Sequence, residues 1–439
     1  TIIGNTLAVS VTRPFRFSHG LSLPEEPLKR RTFLAALGAL AAFTEPAAAA
    51  RTKSTAKSAA KSAAKKPAAK RKATAKPSAP ERNRVHTADN SVVDEPPKGT
   101  SASRLPPVKA EEPPREWSAW EITTRINLAG QEGPCKLWLP LPLNQDTLFQ
   151  RTLGHAWEGN VSRAGMSRLP DGDLENFECE WADGKDGRLQ LTTRVATADR
   201  HFDVAKRTVA PEREDILRHN LRESALIPND GAAFQLGERI LGRIKDPVAQ
   251  AKAIYDWVAD NAIYDPAQPG CGSGNIRQQL MSGQYGGGSA DIAGLFVAIC
   301  RAIGIPARCV FGLRVGPSRL LRSLGLTGDE ATHGQHVRAE FYVPGYGWIP
   351  VDPADVRRAI VIESLGDQDS RLSALKKVLF GVWEMNWIAY NVGIDITLNG
   401  EDAPLPFLIL PRLKTPHGVI DGSDPAAIRY RISARQVSL

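Results

Sequence analysis

Three consecutive glycines and a serine, Gly286-Gly287-Gly288-Ser289, run directly into an apolar helical segment, and this junction restricts the fold more than any other stretch of the chain. Glycines let the backbone turn through conformations closed to other residues and let a second chain approach closely. From Ala290 the sequence places Ile292, Leu295, Phe296 and Ile299 on a packing face, which predicts a buried helix to about Ile303. A helix start reached through such a turn offers free N–H groups and the positive end of the helix dipole. Ser289 stands at that start. Serine is also a common N-cap there, so it acquires chemical meaning only with the segments that follow.

About thirty residues after Gly304-Ile305-Pro306-Ala307-Arg308 comes His336-Val337-Arg338-Ala339-Glu340-Phe341-Tyr342. The alternation predicts a strand with His336, Arg338, Glu340 and Tyr342 on one face. A turn at Pro344 to Gly347 returns the chain, so Asp352 should lie across a hairpin from His336. A carboxylate at one imidazole nitrogen fixes the tautomer and leaves the other nitrogen for a nucleophile. His333 and Asp355 are the nearest substitutes and carry less weight. Cys300 does not supply a nucleophile: it lies roughly 16 Å further along the helix axis than Ser289 at about 1.5 Å per residue. Cys309 is likewise away from the helix start.

The combination resembles the transglutaminase-like superfamily, over roughly Trp117 to Val437 and most strongly from Tyr255 to Asp355. The resemblance implies a papain-like α+β core, chemistry on peptide carbonyl groups, and a Cys-His-Asp triad whose positions are held here by Ser289, His336 and Asp352. Gln284 and Tyr285, just before the glycines, are weaker candidates to donate to an oxyanion beside the Ser289 N–H. The departure is Ser289 in the cysteine position. A thiol with a pKa near 8.5 is easily ionised beside an imidazole. A hydroxyl is not, so His336 would have to take its proton during attack. Three readings follow: a pseudoenzyme that keeps the cleft for binding, a serine hydrolase, or a Cys-to-Ser replacement in an active enzyme. A fourth, of a different class, is an envelope-tethered binding scaffold.

Charge is unevenly placed. The chain carries +8 overall, yet Arg51 to Val85 holds twelve basic residues and one acid, so the remainder is mildly acidic. Lys53, Lys57, Lys61 and Lys65 would stack on one helical stripe and repel, which predicts a disordered Lys/Ala/Pro-rich linker over 51–114. Before it, residues 1–50 resemble a twin-arginine export signal: Arg30-Arg31, a short apolar run to Phe43, then small residues Ala47 to Ala50. Export implies a periplasmic or envelope location, with residues 51–85 in electrostatic contact with anionic envelope surface rather than with a specific nucleic acid. No run is long and apolar enough for a transmembrane helix.

Short alternating runs between Trp117 and Val204 predict a β-sandwich domain over 115–205. Asp246-Pro247 is a helix start, and helices followed by strands place the transglutaminase-like α+β domain at 206–370. Residues 371–439 are expected as a C-terminal extension packed on the core. The five cysteines show no metal spacing; Cys271, Cys300, Cys309 and His333 make a weak zinc set. The glycines lack a following Lys-Ser pair, so no phosphate-binding loop is predicted. No cofactor or metal is expected, and the expected partner is a peptide or protein substrate.

Overall fold

The structure, a computed structural model, describes residues 116–439 except 129, 170–172, 203–209 and 424. The export signal with Arg30-Arg31, the linker and the Lys-rich segment 51–85 lie outside the described residues. The described residues open with six strands: β1 (Ser118–Asn127), β2 (Cys135–Pro140), β3 (Gln150–Gly159), β4 (Arg163–Leu169), β5 (Leu174–Trp181) and β6 (Arg188–Thr197). Helices α1 (Gly231–Leu241), α2 (Pro247–Asn261) and α3 (Ser289–Ala302) come next, then strands β7 (Ala307–Arg314), β8 (Gln335–Val343) and β9 (Gly347–Val351). Helix α4 (Pro353–Ile362) leads to β10 (Trp387–Asn391), β11 (Arg412–Thr415), β12 (Gly418–Asp421) and β13 (Tyr430–Val437).

Three antiparallel sheets organise these elements. The core sheet has the order β9-β8-β7-β10. The sandwich sheets have the orders β13-β1-β6-β3 and β12-β11-β2-β5-β4. Residues 371–439 therefore divide: β10 joins the core sheet, while β11 to β13 complete both sandwich sheets. Strand β13 runs along β1 from Ile126↔Tyr430 to Ala119↔Val437, and β11 pairs with β2 through Leu413↔Leu137. The sandwich is thus closed by the far end of the chain, a non-local pairing that no local pattern announces.

Helix α3 is the centre of the core. All its residues from Ser289 to Arg301 are buried: Ile292 to Cys300 are apolar or small all round, and Ser289, Asp291 and Arg301 are polar exceptions at its two ends. It packs against β8, β7, α1, α2 and α4. Ahead of it, Asp246 accepts the Ala249 N–H at 2.8 Å and Pro247 occupies the first turn of α2, burying Ala251, Ile254, Tyr255 and Val258 against α3. Sandwich residues such as Ile122, Leu137 and Phe177 and core residues such as Phe296 and Phe341 belong to one continuous apolar cluster, so the two regions share an interior.

Candidate active site

The glycine-rich loop is held by one carboxylate. Asp291, in the first turn of α3, accepts the N–H groups of Gly288 (2.8 Å) and Gly274 (2.9 Å) and the Ser273 hydroxyl (3.2 Å). Gln279 adds a second tie, accepting from Gly286 N at 3.0 Å and donating to Asp291 O at 3.2 Å. Gly287 and Gly288 are among the glycines that this geometry requires. Gly287 has φ +128, and a Cβ there would sit 2.6 Å from the Asp291 carboxylate. A Cβ on Gly288 would lie 2.2 Å from the Cys271 carbonyl oxygen, which also accepts the Ala290 N–H at 2.8 Å. Ser289 is thereby fixed at the start of α3, with 5% of its surface exposed.

Its hydroxyl meets strand β8. The Ser289 Oγ accepts the N–H of Val337, one residue past His336, at 3.0 Å. Strand β9 pairs with β8 only from Ala339 to Val343, so α3 supplies the acceptor where that edge of β8 runs past the end of β9. His336 itself is held from behind by Trp387, whose indole N–H donates to the His336 carbonyl at 3.1 Å. The imidazole Nε2–H donates to Asp352 Oδ2 at 2.8 Å and lies 3.5 Å from Asp355 Oδ1. That leaves Nδ1 as the free ring nitrogen. No hydrogen bond joins Ser289 to His336 in this arrangement.

Asp352 also caps α4. Its Oδ1 accepts the Asp355 N–H at 2.9 Å, with Pro353 in the first turn, the local reason that Asp-Pro follows the strand. The strand register continues from Ala339↔Val351, which sets Asp352 against Arg338 rather than directly against His336. The carboxylate reaches both: Arg338 Nε is 3.2 Å from the same Oδ2 that His336 engages. On the neighbouring strand Arg314 forms two hydrogen bonds to Asp355 and a third to the Leu324 carbonyl. His336, Asp352, Asp355, Arg314 and Arg338 are all buried, Asp352 with no exposed surface at all.

Burial, and then the Arg314 charge, push the His336 imidazole below the ordinary histidine range, against the pull of Asp352 and Asp355. Burial alone would raise the Asp355 carboxyl, but the charge and hydrogen bond of Arg314, with Arg338, outweigh it and hold Asp355 well below the usual carboxylate range. His336, Asp352 and Asp355 have the spacing of a metal-ligand set, with ligand atoms within 4.8 Å. Each carboxylate is already matched by a buried guanidinium, so a cation would have to displace Arg314 or Arg338.

The other candidates have surroundings of their own. Gln284 is exposed, with its N–H on the Ser282 hydroxyl at 3.2 Å. The Tyr285 ring packs edge-on against Trp257 at 5.2 Å. His333 is exposed. Cys300 and Cys309 are buried free thiols, and burial pushes the Cys309 thiol up to about 12. Asp355 was named from the sequence only as a substitute for Asp352, and Arg314 and Asp291 were not singled out. Arg338 gave a signal too, because alternation puts it on the His336 face.

The transglutaminase-like superfamily model matches residues 235–353. An uncharacterised protein of Haemophilus influenzae is 31% identical over 333 residues, covering 71% of this chain and 89% of the relative. Among solved structures, a proposed cysteine protease from Cytophaga hutchinsonii is 16% identical, with a TM-score of 0.41, covering 73% of this chain and 98% of its own. The periplasmic domain of TgpA from Pseudomonas aeruginosa is 17% identical, with a TM-score of 0.29, covering 58% and 92% respectively.

Proposed function

Because this chain belongs to the transglutaminase-like superfamily, a family of peptide-acting enzymes, we propose that it is an exported acyl hydrolase or acyl transferase working on peptide or protein amides through Ser289, His336 and Asp352. The observation that carries this is the Ser289 hydroxyl, fixed at the N-terminus of a buried helix against the backbone of the residue next to His336, while His336 turns Nε2 to Asp352. Rotation of the hydroxyl away from Val337 would bring its proton to His336 Nδ1. The Oγ then bonds to the amide carbon and the carbonyl electrons move to oxygen, where the Ser289 N–H at the start of α3 offers a hydrogen bond. His336 returns the proton to the leaving amine, and water or a second amine takes the acyl group from Ser289.

The test is labelling of the full chain with a fluorophosphonate, followed by mapping of the modified peptide. Modification at Ser289, lost in Ser289→Ala and reduced at least about tenfold in His336→Ala, is the expected result. A protein that stays unlabelled from pH 6 to 9 sinks the serine reading.

A second reading, a cleft kept for binding, is favoured by one observation: the hydroxyl already satisfies the Val337 N–H and makes no bond to His336. Under that reading Ser289→Ala leaves peptide binding intact. The scaffold reading, in which the β-sandwich and residues 51–85 tether the protein to an anionic envelope surface, predicts ligand binding that is indifferent to Ser289 and His336 alike. Among the described residues no helix is long and apolar enough to cross a membrane.

A further inference from the structure

We propose that Arg314 and Arg338 are positioning residues that keep His336 uncharged at rest, suiting this centre to a hydroxyl nucleophile rather than to a thiolate–imidazolium pair. The proposal rests on the serine reading above and adds the feature that would make serine work in a cysteine position.

Asp352 Oδ2 is shared between His336 Nε2 at 2.8 Å and Arg338 Nε at 3.2 Å. The other oxygen, Oδ1, is occupied by the Asp355 N–H. Asp355 Oδ1 lies 3.5 Å from His336 Nε2 and is hydrogen-bonded by Arg314. Both carboxylate oxygens that face the imidazole are therefore also faced by a guanidinium. Guanidinium groups stay protonated throughout the working pH range. Two anions and two cations balance, and a proton on His336 would add an uncompensated charge to a fully buried cluster, which is strongly disfavoured.

Among the described residues no other neighbour restores the balance. From α2, Tyr255 faces the cluster, and burial pushes its phenol up, so it is neutral. Ser289 approaches from α3 without charge. Arg338 rests on the Trp387 and Trp383 rings at 4.6 and 5.7 Å. Its Nη1 donates to the backbone carbonyl of Glu384, whose own carboxylate is turned to Ser318 and the Arg319 N–H. Tyr264, near Arg314, is bonded to Arg358.

A cysteine centre gains from a resting imidazolium that pairs with thiolate. A serine centre needs the opposite, since a protonated imidazole cannot accept the hydroxyl proton. In the proposed step the proton moves from Ser289 Oγ to His336 Nδ1 as negative charge appears on the substrate oxygen. The imidazolium then exists only while an oxyanion compensates it.

The experiment uses the full chain and two readouts. One is the titration of the His336 imidazole by nitrogen NMR, assigned with His336→Gln. The other is the pH dependence of fluorophosphonate labelling. Both midpoints should lie below the ordinary histidine value of about 6.5. Both should move upward in Arg338→Gln, return toward wild type in Arg338→Lys, and move further down in Asp355→Asn, where Arg314 is left unmatched. A wild-type imidazole titrating at or above that value overturns the proposal, as does a midpoint indifferent to Arg338→Gln and Asp355→Asn in folded protein. Unlabelled protein whose imidazole still titrates as expected would instead sink the catalytic reading and leave the charge arrangement standing.

Discussion

Strand β8 carries two buried charge clusters on one face, and they differ in a single respect. At one end Glu340 lies between Arg200 at 2.6 Å and Arg308 at 2.5 Å, with Arg308 stacked on Trp348 at 4.0 Å and Arg200 on Phe149 at 4.7 Å. At the other end His336 and Arg338 meet Asp352, Asp355 and Arg314. Both ends solve the same problem, the removal of charge from water, in the same way, by pairing each carboxylate with guanidinium. None of the groups at the Glu340 end changes charge near neutral pH. The end next to Ser289 contains an imidazole. Burying charge is a structural solution in both places, and it becomes chemistry only where one member can exchange a proton.

The sharpest way to break this comparison is to remove Glu340. Glu340→Ala strands two partly buried cations and should lower stability by about 3 kcal/mol in urea denaturation. The pH profile of Ser289 labelling in the protein that remains folded should be unchanged. A shifted profile would mean that the two clusters are electrically one.

A second break is steric. Gly288→Ala places a Cβ 2.2 Å from the Cys271 carbonyl, so the backbone carrying Ser289 must move. Labelling should fall by about tenfold or more, since displacements near 1 Å are costly to positioned groups, while stability falls by only about 1–3 kcal/mol. Arg308→Ala, at the other end of the strand, should show the reverse: measurable destabilisation and no change in labelling rate. Equal labelling losses in the two variants would erase the distinction between the clusters.

What could be read in advance follows the range of the interactions. The glycine turn, helix α3, the alternation of β8 and the Asp-Pro cap are local, and all four were visible as patterns of a few residues. The face shared by His336 and Arg338 was visible too, from the two-residue period. Of their partners, Asp352 was visible from the hairpin and Arg314 was not. Arg314 reaches Asp355 across 41 positions of sequence, and Asp291 gathers Gly274 from the loop 17 residues before it. Even the hairpin misled slightly, because a turn fixes register only after its paired residues are known: Asp352 falls opposite Arg338 and reaches sideways to His336. The closure of the sandwich by β13 depends on Ala119 meeting Val437, a pairing that depends on the whole fold.

The pH dependence of stability offers a smaller contrast between the two ends. The folded-state pKa of His336 is lowered by burial and Arg314, so the folded protein binds fewer protons than the unfolded chain as pH falls. Stability from this source is fully present above the unfolded value of about 6.5 and is lost as pH drops through the lowered folded value. Glu340 is raised by burial but lowered further by Arg308 and Arg200, for a net depression. Its contribution is present above the unfolded value of about 4.3 and disappears only as pH falls through the depressed folded value. His155, also lowered chiefly by burial, adds a slope of the same sign as His336, so the informative quantity is a difference. Urea midpoints at steps from pH 8 to 5 should show a shallower decline in His336→Asn than in wild type. A parallel decline in the two proteins would remove His336 from the account.

The smallest expected effect is at position 289 itself. In Ser289→Cys the helix start favours thiolate, while burial opposes it, and the balanced carboxylate–guanidinium pairs withhold the imidazolium that would otherwise pair with it. The thiol should therefore titrate near the free value of about 8.5 in alkylation-rate profiles, and His336→Ala should change its rate little. Adding Arg338→Gln frees Asp352 Oδ2 for His336 alone, so the imidazolium becomes accessible and the thiol should ionise at lower pH. The comparison is between the single and the double variant, both measured by alkylation rate against pH. If the single variant already ionises well below the free value and depends on His336, the guanidinium groups do not hold the imidazole neutral. The cluster beside Ser289 would then differ from the Glu340 cluster only in containing a histidine.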